Sequence, residues 1–228
     1  MARSFLKRTW DVVKPPPAPP PNWRFNRSQR RLIRVTAIVL ALGAGSWGIY
    51  AYIASAPDRA NSHFQRGMML LGAGDSGGSI SQFTTAAGIR PEYAEAYVGR
   101  GKAEEALGQN DAALADFERA IAIDPTLDTA YAYRGMLWHS RGDLSKALAD
   151  FTQSIRIQPS PDAYYQRGLA FQALGEPQRA VNDYDLAIVR DPAVPHLYRA
   201  RAKAKLDLKD PAGAKQDQET AERLEKTQ

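Results

Sequence analysis

The sequence predicts an all-α solenoid of about five stacked helix pairs, preceded by one membrane-spanning helix. The solenoid is predicted by residues that recur every 33 or 34 positions. Small residues recur at Gly67, Gly101, Gly135, Gly168 and Ala202, aromatic residues at Phe83, Phe117, Phe151 and Tyr184, and prolines at Pro91, Pro125, Pro159 and Pro192. The membrane helix is predicted by an uncharged run of twenty residues. One helix pair cannot bury its own apolar face, whereas stacked pairs build a continuous core.

The recurring residues have simple physical roles in a stack of helix pairs. Glycine or alanine at a helix crossing lets two backbones approach, and the aromatic residue fills the space beside it. Proline after the second helix cannot continue that helix, so the helix ends there. A glycine followed by a polar residue forms the turn inside four units, as in Gly108-Gln109. The predicted units cover about 60–93, 94–127, 128–160, 161–194 and 195–228.

The two end units depart from the pattern. The last unit has Ala202, Lys209 and Gln218 in place of the crossing glycine, the turn glycine and the aromatic residue. Its final helix is strongly polar, so we expect it to face solvent and cap the array. The first unit has a glycine-rich turn at 72–78, and glycine inside a helix costs about 1 kcal/mol relative to alanine. We therefore expect its second helix to begin late, near Ser79.

The unit at 94–127 resembles the tetratricopeptide repeat, a helix-turn-helix unit of 34 residues. The resemblance rests on Ala96-Tyr97, Gly101, Leu107-Gly108, Ala113, Phe117, Ala120 and Asp124-Pro125. Counted over all five units, it covers about three quarters of the chain. It implies a right-handed solenoid and a protein-binding scaffold. The fold alone does not identify the partner, because this family binds many unrelated proteins.

A second regularity concerns charge. An arginine precedes every crossing residue, at Arg66, Arg100, Arg134, Arg167 and Arg201, and an aspartate precedes the aromatic position in four units, at Asp116, Asp150, Asp183 and Asp217. The first unit has Gln82 there instead. We interpret these residues as a structural ladder of ion pairs, because a binding site seldom needs the same charge in every repeat. A guanidinium can bond a carboxylate through two nitrogens. The sequence leaves open whether each pair closes within a unit or between neighbours.

Residues 35–54 are predicted to cross a membrane. They carry no charge, and at about 1.5 Å per residue they span about 30 Å, the hydrocarbon thickness of a bilayer. Trp47, Tyr50 and Tyr52 cluster toward one end, as interfacial aromatic residues do. The alternative, a buried soluble helix, is disfavoured because no such element belongs to the repeat array. Small residues at spacings typical of membrane-helix packing are Ala41, Ala44, Gly45 and Gly48.

Charge predicts the orientation of this membrane helix. Residues 1–34 hold nine basic residues and one acidic residue, a net +8, whereas 55–228 hold 21 basic and 24 acidic residues, a net −3. The positive-inside rule places the N-terminus in the cytoplasm and the repeats in the periplasm of a bacterial inner membrane. A cleaved signal peptide and a mitochondrial presequence are alternatives. The long basic segment and Pro57 disfavour the first, and the proline run disfavours the second.

The segment before the apolar run has two predicted parts. Residues 1–14 form an amphipathic helix that lies on an anionic leaflet or docks on a partner. Its apolar face is made of Phe5, Leu6, Trp10 and Val13. Residues 15–34 form a basic linker whose proline run predicts an extended polyproline II rod, either a spacer or a ligand for an aromatic groove. Residues 55–59 are a short linker to the repeats.

The resemblance implies that the first helix of each unit lines a concave groove that binds protein segments. The candidate groove residues are Phe64, Met68, Lys102, Glu105, Met136, His139, Tyr165, Leu169, Gln172, Arg199 and Lys203. We expect the groove to be apolar in its middle and basic toward its C-terminal end. Some relatives bind a terminal carboxylate with a clamp of lysine and asparagine. That ligand is doubtful here, because the clamp positions hold Phe64, Val98, Ala132 and Tyr165.

No motif in the sequence indicates catalysis. The three histidines, His63, His139 and His196, are isolated in sequence, and the glycine-rich turn at 72–78 lacks the lysine of a phosphate-binding loop. We therefore expect no enzyme activity, cofactor, metal or small-molecule substrate. We also expect no nucleic acid, because the arginines are periodic and paired. A regulatory or enzymatic module with a cryptic site is the rival hypothesis from another class.

The expected function is a membrane-anchored scaffold for protein-protein interaction. In this hypothesis the exported repeats act as an accessory subunit or assembly factor of a membrane complex, and the membrane helix and residues 1–14 contact the bilayer or the same complex. The alternative is a periplasmic, chaperone-like factor that holds clients near a translocon or envelope machine. The sequence does not name the partner or the oligomeric state.

Overall fold

The computed structural model describes residues 55–226, and this part of the chain contains ten α-helices and no strand. The helices are α1 Ala56–Gly72, α2 Ser76–Ile89, α3 Ala94–Ala106, α4 Asn110–Ile123, α5 Asp128–Ser140, α6 Leu144–Ile157, α7 Pro161–Ala173, α8 Pro177–Arg190, α9 Pro195–Asp207 and α10 Pro211–Glu225. They form five consecutive pairs, and the array from Ala60 onward is one compact unit. The predicted all-helical array of helix pairs is confirmed.

The N-terminal predictions concern residues that the structure does not describe. The amphipathic helix at 1–14, the linker at 15–34 and the membrane helix at 35–54 lie outside the described residues. So do the small residues proposed for membrane packing, Ala41, Ala44, Gly45 and Gly48. Between residues 55 and 226, no helix combines the length and the apolar character needed to span a bilayer.

The helices stack so that the first helices of neighbouring units lie close together. From α2 onward, each helix packs against the next one along the chain. First helices also contact each other across units, α3 with α5, α5 with α7 and α7 with α9, whereas no two second helices of the described units are in contact. The array therefore has an inner face made by the first helices and an outer face made by the second helices.

The turns inside the units depend on a backbone conformation that favours glycine. Four turn glycines have positive φ, with values of 73° to 83°, and Lys209 adopts the same conformation at 62° in the last unit. A side chain is strained in this region. Glycine is therefore the expected residue at this position, and Lys209 is the exception.

The second helix of the first unit begins earlier than the sequence predicts. It starts at Ser76, so the expected late start near Ser79 is wrong. Asp75 caps the helix, because its carboxylate accepts a hydrogen bond from the backbone N–H of Gly78 at 2.8 Å. The Ser79 hydroxyl also donates to the carbonyl of Gly67 at 2.9 Å. Together, the cap and this bond to α1 offset the low helix propensity of the glycines.

The crossing glycines are required by the aromatic residues beside them. A Cβ atom on Gly101 would lie 2.7 Å from Cε1 of Phe117, and one on Gly168 would lie 2.5 Å from Cε1 of Tyr184. Both distances are shorter than van der Waals contact allows. The last unit has alanine at the crossing, Ala202, and Gln218 where the ring would be. A glycine is therefore required at the crossing where a ring is present, and alanine is accommodated where the ring is absent.

The C-terminal helix α10 ends the array with a polar face. In the fourth unit, Val181, Tyr184 and Ile188 are buried against the following unit. Their counterparts in α10 are Lys215, Gln218 and Glu222, and all three are exposed. Charged and amide side chains at these positions stay in water, so no further helix is needed to cover them.

Candidate functional site

The repeated arginines and aspartates pair within each of the last four units. In each pair the arginine Nε and one terminal nitrogen donate to the two oxygens of a single carboxylate. The Nε–oxygen distances are 2.6 Å for Arg100 and Asp116, 2.8 Å for Arg134 and Asp150, 2.8 Å for Arg167 and Asp183, and 2.9 Å for Arg201 and Asp217. These hydrogen bonds raise the pKa of each guanidinium above its ordinary value.

In three of the four pairs, the remaining terminal nitrogen of the arginine donates to a side chain of the preceding unit. Nη1 of Arg100 donates to the Thr84 hydroxyl at 3.2 Å, and Nη1 of Arg201 donates to Asp185 at 2.6 Å. Arg167 reaches Thr152 in the same way, at 3.3 Å. The structure thus resolves the choice that the sequence left open, because each of these arginines binds within its own unit and to its neighbour.

Sequence reasoning missed a tyrosine that accompanies every such pair. Tyr97, Tyr131, Tyr164 and Tyr198 recur with the same period, three residues before the arginine. The guanidinium carbon lies 5.4 to 5.8 Å from the ring centroid. The hydroxyls of Tyr97 and Tyr198 donate to the carbonyls of Pro91 and Pro192. The tyrosine therefore links the arginine to the turn that ends the preceding unit, and its periodicity could have revealed it.

The first unit breaks this arrangement. His63 stands where the other units have the tyrosine, and its Nδ1 lies 2.8 Å from the amide oxygen of Gln82. Gln82 in turn stands where the others have aspartate. Arg66 is exposed and forms no ion pair with any residue between 55 and 226. The ladder therefore contains four closed pairs and one arginine without a carboxylate.

The apolar groove candidates are divided between the inner surface and the core. Phe64 packs on Phe83 and Tyr93, with ring centroids 5.6 and 5.0 Å apart. Tyr165 lies against Tyr184 and, edge-on, against His196. Met136 and Leu169 are half-buried against the core, and Met68 is exposed. These side chains present part of their surface toward the inner face and use the rest for packing.

Most polar groove candidates are buried or already contact other side chains of the array. Lys102 lies over the ring of Tyr133, with its Nζ 4.4 Å from the centroid, and burial raises the pKa of Glu105. Gln172 accepts a hydrogen bond from the Tyr184 hydroxyl at 2.6 Å.

The C-terminal end of the inner face holds the more exposed polar candidates. Arg199 is bonded to Glu225, whereas Lys203 is exposed and forms no ion pair within the described residues. The remaining polar candidate, His139, lies in the third unit, and its Nε2 atom is buried without a hydrogen-bond partner among residues 55–226. The expected basic end of the groove is therefore reduced to Lys203, because Glu225 neutralises Arg199.

Glu104 is a buried carboxyl group beside another carboxylate. It lies on α3 with Asp116 near it and Arg100 Nε at 3.9 Å, and its Oε2 has no hydrogen-bond partner among the described residues. Burial, and then the charge of Asp116, raise its pKa to about 7. The last unit has Lys205 at the equivalent position, where its Nζ lies 2.9 Å from Asp217. At this position, a lysine in the last unit pairs with the aspartate and stabilises the fold. In the second unit, a glutamate places a second acidic group beside the aspartate.

Glu104 predicts a loss of stability as the pH rises. Its pKa is raised on folding from 4.5 to about 7, so the folded chain binds the proton more tightly and this contribution is complete below pH 4.5. It is lost as the pH rises from 4.5 to about 7, at a cost of at most about 3 kcal/mol. Glu104→Gln should abolish this dependence and stabilise the chain above pH 7. Urea unfolding of both proteins between pH 5 and pH 8 measures the difference.

A matched control separates this effect from general charge removal. Glu222 is exposed on α10, so Glu222→Gln should leave the pH dependence unchanged. The interpretation of Glu104 would be wrong if Glu104→Gln and the parent protein showed the same dependence.

The described residues show no grouping typical of a metal site. No cluster of three or more histidine, aspartate, glutamate or cysteine side chains that could hold a metal ion occurs between residues 55 and 226. His63, His139 and His196 lie in three different units, and each has its own packing environment.

Comparison with known proteins identifies the type of repeat. Residues 94–127 and 161–194, the second and fourth helix pairs, each match a family model of the tetratricopeptide repeat. No curated protein matches the sequence significantly.

Several solved structures share the fold. MamA 41-end from Desulfovibrio magneticus RS-1 is 19% identical, with a TM-score of 0.65 over 75% of this chain and 97% of that one. TTC0263, a thermophilic protein with these repeats from Thermus thermophilus, is 20% identical, with a TM-score of 0.61 over 72% and 91%. Pseudomonas aeruginosa pilF is 14% identical, with a TM-score of 0.71 over 75% and 78%. At these identities, the similarity shows the fold alone.

Proposed function

We propose that this chain is a membrane-anchored scaffold that holds a segment of another protein in the groove formed by its first helices. In this proposal it acts as an accessory subunit or assembly factor of a membrane complex. The tetratricopeptide repeats support protein binding in general, because this fold serves as a binding module in many unrelated settings. The anchor is supported by the apolar sequence at 35–54.

The observation that carries the proposal is a contrast between two sets of repeat positions. Positions at the helix crossing hold nearly the same small residue in every unit. The inner-face position one residue later holds Met68, Lys102, Met136, Leu169 and Lys203 in turn. Packing requires the first set to repeat, but it leaves the second set free to differ. A groove whose residues differ from unit to unit suits one particular partner rather than a repetitive surface.

The test of the proposal is co-purification of the full-length protein from native membranes in mild detergent. We expect one partner complex at a fixed ratio. The double variant Met68→Asp and Lys203→Glu changes two exposed inner-face residues and should abolish co-purification without lowering the melting temperature. The matched control is Val189→Asp, which changes an outer-face residue that is 78% exposed. Equal loss of the partner in both variants would contradict the assignment of the groove.

The chaperone-like alternative is favoured by the apolar part of the inner face. Phe64, Met68, Met136 and Leu169 could hold apolar client segments of varied sequence. In that case many proteins should co-purify in amounts far below that of the scaffold. A discrete complex of fixed composition would exclude this alternative.

The proposed location is a bacterial inner membrane, with the repeats in the periplasm and the N-terminus in the cytoplasm. It rests on the charge difference between residues 1–34 and residues 55–228. Protease added to spheroplasts should digest the repeat domain, and a cytoplasmic marker should stay intact. Protection of the repeats in spheroplasts, with digestion only after lysis, would reverse the proposed orientation.

A further inference from the structure

The first helix of the array has a face that no repeat covers. Met69 on α1 is 73% exposed, whereas its counterparts Ala103, Leu137, Ala170 and Ala204 are all fully buried. Those counterparts are covered by the second helix of the preceding unit. Leu137 lies in one cluster with Phe117 of α4, and Ala204 lies in one cluster with Tyr184 of α8. Within residues 55–226 no unit precedes the first one, and Met69 is exposed.

Arg66 adds a charge to this open face. In the second, fourth and fifth units the equivalent arginine uses two nitrogens for its own aspartate and a third for the preceding helix. Arg66 has no such aspartate, because Gln82 stands there and is engaged by His63. Arg66 and Met69 are three residues apart and therefore lie on the same side of α1. Together they offer a cation and an apolar side chain to an incoming helix.

The chain itself shows which helix fits such a face. In α2, α4, α6 and α8, the residue after the aromatic position is Thr84, Glu118, Thr152 or Asp185, and four residues earlier stands Ile80, Leu114, Leu148 or Val181. Leu114, Leu148 and Val181 pack in the clusters that contain Leu137, Ala170 and Ala204, the counterparts of Met69 in the units that follow. In α10 the equivalent positions hold Lys215 and Glu219, so the aliphatic side chain that would cover another unit is absent.

We propose that the open face of α1 binds a helix of a partner protein that carries an aliphatic side chain and, four residues later, a carboxylate. The carboxylate pairs with Arg66, which no acidic residue of its own unit neutralises, and the aliphatic side chain covers Met69. This surface is distinct from the groove, so the partner extends the array as a preceding unit would. The inference does not depend on what the groove holds.

A helical peptide taken from this chain is a suitable probe. The segment 109–124 contains α4, with Leu114 and Glu118 at the required spacing. Because an isolated helix of this length is marginal in water, the peptide is stapled on its solvent side and labelled for fluorescence anisotropy. It should bind the full-length protein saturably. Arg66→Glu and Met69→Lys should each weaken binding at least tenfold at an unchanged melting temperature.

A charge exchange makes the test specific. A peptide with Glu118→Lys should bind the Arg66→Glu protein more tightly than it binds the unchanged protein. Lys203→Glu, which alters only the groove, should leave the affinity unchanged. The proposal is overturned by the absence of saturable binding, by equal affinity for the Arg66→Glu protein, or by a loss that follows Lys203→Glu. A dimer in sedimentation velocity that Met69→Lys dissociates would overturn it as well, since a second copy would then cover the face.

Discussion

Replacing Phe117 by alanine is expected to lower the free energy of unfolding by about 4 kcal/mol. The ring is fully buried, and it lies among Ala113, Ala120 and Ala130, residues that are too small to move into the space it would leave. The cost of a core truncation grows with the cavity that remains. For a domain of this size, the melting temperature should fall by roughly 10 °C. Circular dichroism at 222 nm during heating and urea titration measures both quantities.

An exposed leucine provides the control for this truncation. Leu107 is 50% exposed at the end of α3, so Leu107→Ala should change stability by no more than about 0.5 kcal/mol. If Phe117→Ala cost as little as this control, the ring would not be the centre of its unit and the packing described for the array would be wrong.

The dependence between the ring and the crossing glycine can be measured in the same series. In the unchanged protein, Gly101→Ala places a Cβ 2.7 Å from the ring and should cost about 1 to 3 kcal/mol. With Phe117→Ala already present, the clash is gone and alanine should gain up to about 1 kcal/mol of helix propensity. The two substitutions should therefore be strongly non-additive. The last unit already combines Ala202 with Gln218, which is the arrangement that this coupling predicts.

The periodic residues were predictable from sequence because their roles are local. Gly101, Phe117 and Pro125 each act at one crossing or one helix end, so their spacing predicts the helix pair directly. The start of α2 was not predictable from propensity, because it depends on the cap by Asp75 and on the bond from Ser79 to Gly67. Such tertiary contacts can outweigh the helix propensity of a glycine-rich segment.

The inner face was only partly predictable. The first-helix positions follow from the period, but the state of each side chain depends on a neighbour in another helix. Arg199 looks basic in sequence, yet Glu225 of α10 neutralises it. Glu104 looks like an ordinary solvent-facing acid, yet it is buried beside Asp116. These pairings join residues that are distant in sequence and have no common spacing, so no pattern reveals them.

Replacing Arg134 by alanine is expected to cost about 3 kcal/mol of stability. Asp150 would keep its charge, with a side chain only 8% exposed, and would lose both of its hydrogen bonds to the guanidinium at 2.8 and 2.7 Å. Stranding a buried charge typically costs about 3–5 kcal/mol. We expect the lower end of that range, because the Arg134 side chain is 21% exposed and water can reach the site. Thermal and urea unfolding measure the loss.

A double variant separates the net contribution of the ion pair to stability from the cost of removing only one of its partners. Arg134→Met combined with Asp150→Leu removes both charges and keeps most of the volume, so it should be far less harmful than either single change. The control is Arg156→Ala, an exposed arginine on α6, which should be nearly neutral.

Partner binding should be measured for Arg134→Ala alongside its stability, because Arg134 borders the interface between units. A variant that keeps its melting temperature but loses the partner would make the arginine a binding residue. A loss of stability without a selective loss of binding would make the ladder part of the scaffold, and leave recognition to the side chains that differ between units.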